Sequence, residues 1–360
     1  MQHFKINISA DRTVRSINML LAAIFFFIIT FPSVIWIAVD DKIISATEKR
    51  KLKQLPDFPL TADALKKYPG EFDVYFMDQF GLRDKLYYLY DIIMVNLGVS
   101  PSYKIMLGKN GWLFLDDVGV IDDYRNVRSF TPEELETFKA CLESKYYRLK
   151  KQNIKYLFVI VPNKHTIYSE HLPSGIKKLG NKSKYDQFTE YMQNSAVPVI
   201  DLRPALISAK EKYRIYHKTD THWNSLGADI AQYEIVRFIN TVWPDIEPYP
   251  ARAGKITWKE GKGGDLANVM GLSGYFKELR PETNMPDSLK KKNSKRLLIF
   301  GDSFSNALIP YLSHYFSYSN RILKYANQSL LEKYVKAEYP DIVIEESIER
   351  HLKLFPEYCN

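Results

Sequence analysis

The 360 residues are enough for one large domain or two modest ones, and an apolar share of 46% supports a packed core. The formal charge of +8 suits an anionic polymer or lipid headgroups, or is a solvated lysine-rich surface, and no nucleic-acid motif accompanies it. Two cysteines, Cys141 and Cys359, exclude a disulfide scaffold and lack metal-ligand spacing, and nothing in the sequence argues for a bridge between them.

Ile17–Val39 carries no charge and is about the length that crosses a bilayer core. Lys5, Arg12 and Arg15 precede it, which places residues 1–16 in the cytoplasm and the rest outside. A cleavable signal peptide is the competing reading. The run is long for such a peptide and no small-x-small site follows, which favours an uncleaved anchor over 17–39. Residues 40–60, charged and lysine-rich, read as a stalk, and 61–360 as one extracytoplasmic domain.

Leu60–Val99 reads as largely helical: Phe72, Phe76, Phe80, Tyr87 and Tyr90 recur at helical spacing, with a break near Gly81. Gly108-Lys109-Asn110-Gly111 contains an Asn-Gly turn and predicts a hairpin over Lys104–Leu115. Thr131-Pro132-Glu133-Glu134 is a helix start, with Thr131 as cap, Pro132 at the first turn and Glu134 closing a capping box. A buried strand over Tyr156–Val161 ends at Pro162-Asn163, and Tyr185, Phe188 and Met192 mark the next helix. Val197–Leu202 reads as a strand and Pro204–Lys212 as a short helix.

A short strand, Tyr213–Tyr216, leads into Asp220-Thr221-His222-Trp223-Asn224, and a helix with Leu226, Ile230, Tyr233 and Val236 follows. Pro244–Lys295 reads as irregular and glycine-rich, an insertion whose length beside a site suggests a lid or acceptor-binding loop. Leu297–Phe300 is a short buried strand broken by Gly301-Asp302-Ser303, with a helix from Phe304. A strand at Ile322–Tyr325, a helix at Leu330–Ala337 and a strand at Ile342–Ile344 close the chain. Strands alternating with helices predict an α/β fold whose mostly parallel sheet is covered on both faces.

Ligands of such sheets sit at the carboxyl ends of the strands, where both Ser303 and Asp220–His222 fall. A serine at a strand-to-helix turn is either a helix cap or a presented nucleophile. A nucleophilic serine needs a base, and the base needs a group that sets its tautomer. On an extended segment, the Asp220 and His222 side chains share one side of the chain. Asp302, adjacent to the serine, competes for the acid role but reads better as a brace of the turn.

Gly301-Asp302-Ser303-Phe304 resembles the nucleophile block of SGNH-type hydrolases. Asp220-Thr221-His222-Trp223 resembles the Asp-x-His-Trp block of the alginate O-acetyltransferase family, periplasmic proteins that acetylate exopolysaccharides. The Asp-His block precedes the serine block, as in that family and in reverse of ordinary SGNH enzymes. Tyr75–Arg83, Gly108–Phe114, Val161–Lys164, Gly264-Asp265-Leu266, Pro340–Val343 and Glu349-Arg350 extend the likeness from about Glu48 to the C-terminus. The resemblance implies an SGNH-like three-layer sandwich behind one N-terminal transmembrane helix. It implies Ser303 as nucleophile, His222 as base and Asp220 as its orienting acid, in ping-pong transfer of acetyl groups to polysaccharide hydroxyls. The Ser303 N–H is the expected oxyanion donor.

No cofactor or metal is expected. The implied partners are a polysaccharide acceptor and a membrane-bound O-acyltransferase that supplies acetyl groups, at the bacterial inner membrane with the catalytic domain in the periplasm. Some members carry a C-terminal carbohydrate-binding module, for which this chain leaves no room after Glu349-Arg350. Candidate sugar contacts are Lys164, His165, Tyr168 and Trp223; Lys164 would pair with a uronate carboxylate or is a solvated loop lysine, while Trp223 reads first as packing under the histidine. The same triad would serve a polysaccharide acetylesterase, and a non-catalytic scaffold of an export complex is the alternative outside enzymology.

Overall fold

The computed structural model describes residues 8–45, 50–117, 119–250, 255–284 and 293–359. The chain forms two compact units, Met1–Ile93 and Met94–Asn360.

In the first unit, α1 (Ile8–Ala38) includes a stretch, Thr13–Ala38, with a mean hydropathy of 2.5 that is long and apolar enough to cross a membrane. Lys5 lies outside the described residues. α2 (Ala62–Gln79) starts at the Thr61 side chain, which accepts the Ala64 N–H, and α3 (Arg83–Asn96) follows a break at Phe80–Leu82. Leu82 there adopts a φ of 63°, which ends one helix and redirects the next. The expected aromatic stripe is used: Trp36 of α1 packs edge-on against Phe76 at 5.1 Å between ring centroids, and also contacts Phe72 and Tyr75. Residues 50–53 are pinned to α2, because Asp78 accepts from Arg50 at 2.6 Å and from the Lys53 N–H at 2.8 Å. That ion pair and backbone bond hold the buried Asp78 carboxyl down at about 2.

The second unit opens with β1 (Ile105–Leu107) and β2 (Leu113–Leu115), paired antiparallel around the predicted turn. Asn110 (φ 57°) and Gly111 (φ 77°) take the left-handed conformations that an Asn-Gly pair supplies at little cost. α4 (Val120–Arg125) and α5 (Pro132–Lys150) follow, and α5 begins with both bonds of the Thr131–Glu134 capping box. Then come β3 (Lys155–Val161), α6 (Lys164–Ile167), α7 (Lys184–Met192), β4 (Val199–Asp201), α8 (Arg203–Lys210) and α9 (Ser225–Val242). Beyond them lie β5 (Lys255–Lys262), α10 (Asp265–Val269), β6 (Lys277–Asn284), β7 (Arg296–Phe300), α11 (Ser305–Leu312), β8 (Tyr318–Ile322), α12 (Gln328–Glu338) and β9 (Ile342–Ile348).

Five strands form one parallel sheet in the order β4-β3-β9-β7-β8. The alternation of side chains along each strand builds two cores from it. Leu157, Val159 and Val161 of β3, with Leu297, Ile299, Ile342 and Ile344, pack under α8, α9 and α11. Tyr156, Phe158 and Ile160, with Leu298, Phe300 and Val343, pack under α5, α7 and α12. The result is a three-layer α/β/α sandwich, as expected.

Several boundaries differ from the sequence reading. Tyr213–Tyr216 is not a strand; it is one arm of a narrow loop, closed by Asn224 N–H to Ile215 O (2.9 Å) and His217 N–H to His222 O (3.2 Å). The last sheet edge is β8 at Tyr318–Ile322, not Ile322–Tyr325, because pairing with β7 aligns Phe300 with Ile322. Pro244–Lys295 is not irregular: β5 and β6 pair antiparallel in register from Lys255–Asn284 to Lys262–Lys277, with α10 between them. β9 runs to Ile348, four residues past the expected end, and lies in the centre of the sheet. Cys141 is disulfide-bonded, and the side chain of Cys359 lies outside the described residues.

Candidate active site

β7 ends at Phe300, and the chain turns through Gly301-Asp302-Ser303 before α11. Gly301 is required here by close approach, since a Cβ would stand 2.5 Å from Glu346 Oε2 on β9. Asp302 braces this turn. Its Oδ1 accepts the Phe304 N–H (3.0 Å), and its Oδ2 accepts the Ile348 N–H (2.9 Å) and the Tyr325 hydroxyl (2.7 Å). Burial would raise the Asp302 carboxyl, but bonds to His351, Phe304, Tyr325 and Ile348 outweigh it and hold the group low.

The Asp220–His222 segment approaches from the loop before α9. The two residues do not sit on an extended segment as expected. They meet round a bend, where Asp220 Oδ1 accepts the His222 backbone N–H (3.0 Å) and lies 2.6 Å from Nδ1. His222 Nε2 lies 2.6 Å from Ser303 Oγ. The three predicted residues therefore form one hydrogen-bonded chain. Asp220 Oδ2 accepts the Asp265 N–H at 3.0 Å, and Gly264 is needed because a Cβ there would stand 2.4 Å from Asp220 Cβ. Burial would raise the Asp220 carboxyl; its bonds to His222 and the Asp265 N–H, with the imidazole's charge, hold it well below the usual carboxylate range. Among the described residues the Ser303 N–H has no acceptor, so it is free to face an oxyanion.

The four predicted sugar contacts are not displayed. Lys164 is 3% exposed, and its ammonium donates to the carbonyls of His217 (3.2 Å), Lys218 (3.1 Å) and Asp220 (2.7 Å). Burial draws Lys164 down to about 7, against the opposing pull of Glu278, Asp220 and Asp265. It holds the bend; it has no free face for a uronate. His165 is buried against Phe114 with Nε2 at 3.0 Å from Leu115 O, and burial lowers it to about 3. The Tyr168 hydroxyl accepts the Ile215 N–H at 2.9 Å, and burial raises it to about 12. Trp223 is 1% exposed and donates from Nε1 to Phe304 O at 3.1 Å, tying the histidine loop to the serine turn. Burial makes all four internal supports of the segments they belong to.

Space for ligands lies elsewhere. An open cleft of about 590 Å³ borders Ser303 and is lined by Tyr325, Asn327, Lys333 and His351. A groove of about 670 Å³ runs past Trp223 and Asn224, with Pro281–Thr283 of β6 as one wall and Tyr311 of α11 and His314 just beyond it as the other. Asp220, His222 and Asp265 bring donor atoms within 4.8 Å of one another, among the described residues the arrangement nearest to a metal donor set. Nδ1 of His222 is engaged by Asp220, and both Asp265 oxygens accept from Thr221, so this set fits a hydrogen-bond network better than an ion.

Glu346 shows how the turn is underpinned. It is fully buried on β9, its Oε2 accepts the Asp302 N–H at 3.2 Å, and burial beside Asp302 pushes its carboxyl well above the usual range. A carboxyl raised on folding contributes stability below about pH 4.5, which is lost as pH rises toward the folded value. Glu346→Gln, uncharged throughout, should melt close to the wild type at pH 5 and gain on it steadily toward pH 8. A gap that stays constant from pH 5 to pH 8 would show that Glu346 is already ionised in the fold.

The family model described as "SGNH hydrolase-like domain, acetyltransferase AlgX" matches residues 105–329. The chain is similar to a probable alginate O-acetylase AlgJ of Pseudomonas aeruginosa, at 23% identity over 68% of this chain and 61% of the relative. It is also similar to one of Pseudomonas syringae pv. tomato, at 28% identity over 53% of this chain and 46% of the relative. It thus spans roughly half to three fifths of the length of these curated relatives. Among solved structures, the O-acetyltransferase domain of Pseudomonas putida AlgJ aligns with a TM-score of 0.48 at 20% identity, covering 71% of this chain and 99% of that one. Bacillus cereus PatB1 aligns with a TM-score of 0.49 at 17% identity, covering 69% and 96%.

Proposed function

The chain belongs to the family of SGNH hydrolase-like, AlgX-type acetyltransferase domains, and from that premise we propose that it is an O-acetyltransferase acting on hydroxyls of an exopolysaccharide, alginate-like or other. The observation that carries this reading is the unbroken chain Ser303 Oγ, His222 Nε2, His222 Nδ1, Asp220 Oδ1, with 2.6 Å at each junction between residues.

In the first half-reaction Ser303 Oγ attacks the acetyl carbonyl while His222 Nε2 takes the hydroxyl proton. Asp220 holds the proton on Nδ1, so that Nε2 is the free base, and stabilises the imidazolium that forms. The Ser303 N–H faces the developing oxyanion. The leaving group takes the proton from His222, leaving acetyl-Ser303. In the second half a sugar hydroxyl gives its proton to His222 and attacks the acetyl carbon, and the ester forms as Ser303 Oγ leaves and takes that proton back from His222 Nε2. The cleft beside Ser303 and the groove walled by β6 are where donor and acceptor enter; we assign residues 244–295 to acceptor binding, with the hairpin as a wall.

The apolar helix over Thr13–Ala38 suits a single-pass anchor, which would set the catalytic domain beside the bacterial inner membrane on its periplasmic side. A disulfide at Cys141 fits that oxidising compartment. A membrane-bound O-acyltransferase is then the fitting acetyl source.

The test uses the full chain in detergent with 4-nitrophenyl acetate as donor and mannuronate oligosaccharide as acceptor. Acetylated oligosaccharide by mass spectrometry, lost in Ser303→Ala, supports the transferase. Serine-dependent release of free acetate alone, with acceptor present, would make the protein an esterase. Release that ignores Ser303 would leave the scaffold reading.

A further inference from the structure

Two carboxylates converge on His222. Asp220 Oδ1 lies 2.6 Å from Nδ1, and Asp265 Oδ2 lies 3.5 Å from the same atom. Asp265 also reaches the ring through Thr221. Its Oδ1 accepts the Thr221 N–H at 2.7 Å and its Oδ2 accepts the Thr221 hydroxyl at 2.5 Å. With its proton given to Asp265, the Thr221 oxygen turns its lone pairs toward Nδ1, 3.2 Å away. The Nδ1–H therefore has two acceptors, Asp220 directly and the Thr221–Asp265 pair beside it. Asp265 also grips Asp220 through its own N–H at 3.0 Å.

We propose that Asp265 is a positioning residue, a second orienting carboxylate that acts on His222 through Thr221 and shares with Asp220 the task of holding Nδ1 protonated. This rests on the acyl-transfer reading of the site. The alternative is a brace that ties α10 to the bend and has no effect on the imidazole's charge.

The two differ in pH behaviour, because only a carboxylate that the imidazole feels favours its protonated form. The other charged groups around the ring are common to all the variants, and of these Lys164, whose ammonium Asp265 helps to keep charged, is one that the substitution also reaches. Lys164 lies under the Asp220 carbonyl, Glu278 of β6 holds the Thr219 N–H, Asp302 lies under the serine turn, and Arg350 stacks over Phe304, whose ring packs on His222 at 4.8 Å.

The experiment measures hydrolysis of 4-nitrophenyl acetate by the full chain across pH for Asp265→Asn, Asp220→Asn, the double variant and Thr221→Val. Asp265→Asn should lower kcat about tenfold at unchanged KM, as one helper of a general base does. It should also move the acid limb of the pH–rate profile toward lower pH. In the Asp220→Asn background the same change should cost about a hundredfold, because the remaining acceptor is then removed. Thr221→Val, which keeps the volume and cuts the relay, should reproduce the Asp265→Asn rate loss.

A wild-type rate and profile in Asp265→Asn overturns the proposal. So does a rate loss with an unmoved acid limb and simple multiplication of the two fold-losses, which is the brace. Ser303→Ala separates the levels. If that variant is dead while Asp265→Asn is unaffected, only the role of Asp265 falls. If Ser303→Ala matches the wild type, the acyl-transfer reading falls and takes this one with it.

Discussion

Ser303→Ala and His222→Ala should each lower acetyl-ester turnover by about 10⁴-fold, and the double variant should be no worse than either alone. The reason is that the two groups act as one unit. Without Oγ there is nothing for Nε2, 2.6 Å away, to deprotonate; without the imidazole the hydroxyl stays protonated. The residual rate would come from binding and the Ser303 N–H. Both side chains are small losses to the fold, since Ser303 sits in an open turn and His222 is about a quarter exposed. Melting temperature should therefore stay within a few degrees. Losses that multiply in the double variant would show two independent functions and break the triad assignment.

Lys164→Met should be the most disruptive single change near the site, and its damage should fall on stability and kcat together. Met fills the volume but leaves the part-buried carbonyls of His217 and Asp220 without that donor, while Lys218 O keeps the Leu113 N–H. Each unsatisfied acceptor costs about 1–3 kcal/mol, so the two together cost about 2 kcal/mol or more. For a domain of this size that corresponds to a fall of about 4–8 °C in melting temperature. One of the three carbonyls belongs to Asp220, so the bend that aims Asp220 and His222 loses its anchor. A displacement of about 1 Å in such a relay costs on the order of 10²-fold in kcat. KM for a small ester should barely move. A variant with intact stability and a raised KM for an anionic acceptor would restore Lys164 to the sugar-contact role that its burial argues against.

The elements that were legible in advance are those whose cause is local. Thr131 and Glu134 satisfy each other's helix-end N–H groups within one turn, so α5 starts where the sequence places it. Asn110-Gly111 adopts left-handed backbone whatever surrounds it, so the hairpin is where it was expected. The polar edge strand β8 has no such signal. Tyr318–Ile322 carries no apolar run, and only pairing with β7 makes it a strand. β5 and β6, each with a mixed and largely exposed face, were invisible for the same reason. In the site, Ser303, His222 and Asp220 were legible because an acyl-transfer centre needs those three groups and two short motifs contain them. Thr221 and Asp265 were on the page as motif letters, but their bonds to the imidazole arise only where α10 meets the bend.

Composition, periodicity and local turn residues were enough for the apolar N-terminal helix, the alternation of strands and helices, and the serine turn at a strand end. These depend on interactions within a few residues, or on the length of an apolar run. The order of strands did not follow from them: β9 is last in the chain yet pairs between β3 and β7, so Glu346 comes to lie under the serine turn. Nor did the split between groups that react and groups that support. Lys164, His165, Tyr168 and Trp223 have the side chains of a sugar-binding surface, and burial turned each into internal scaffolding. A polar side chain's role is set by what it can reach. That depends on contacts between residues far apart in the chain, such as the 81 positions that separate His222 from Ser303.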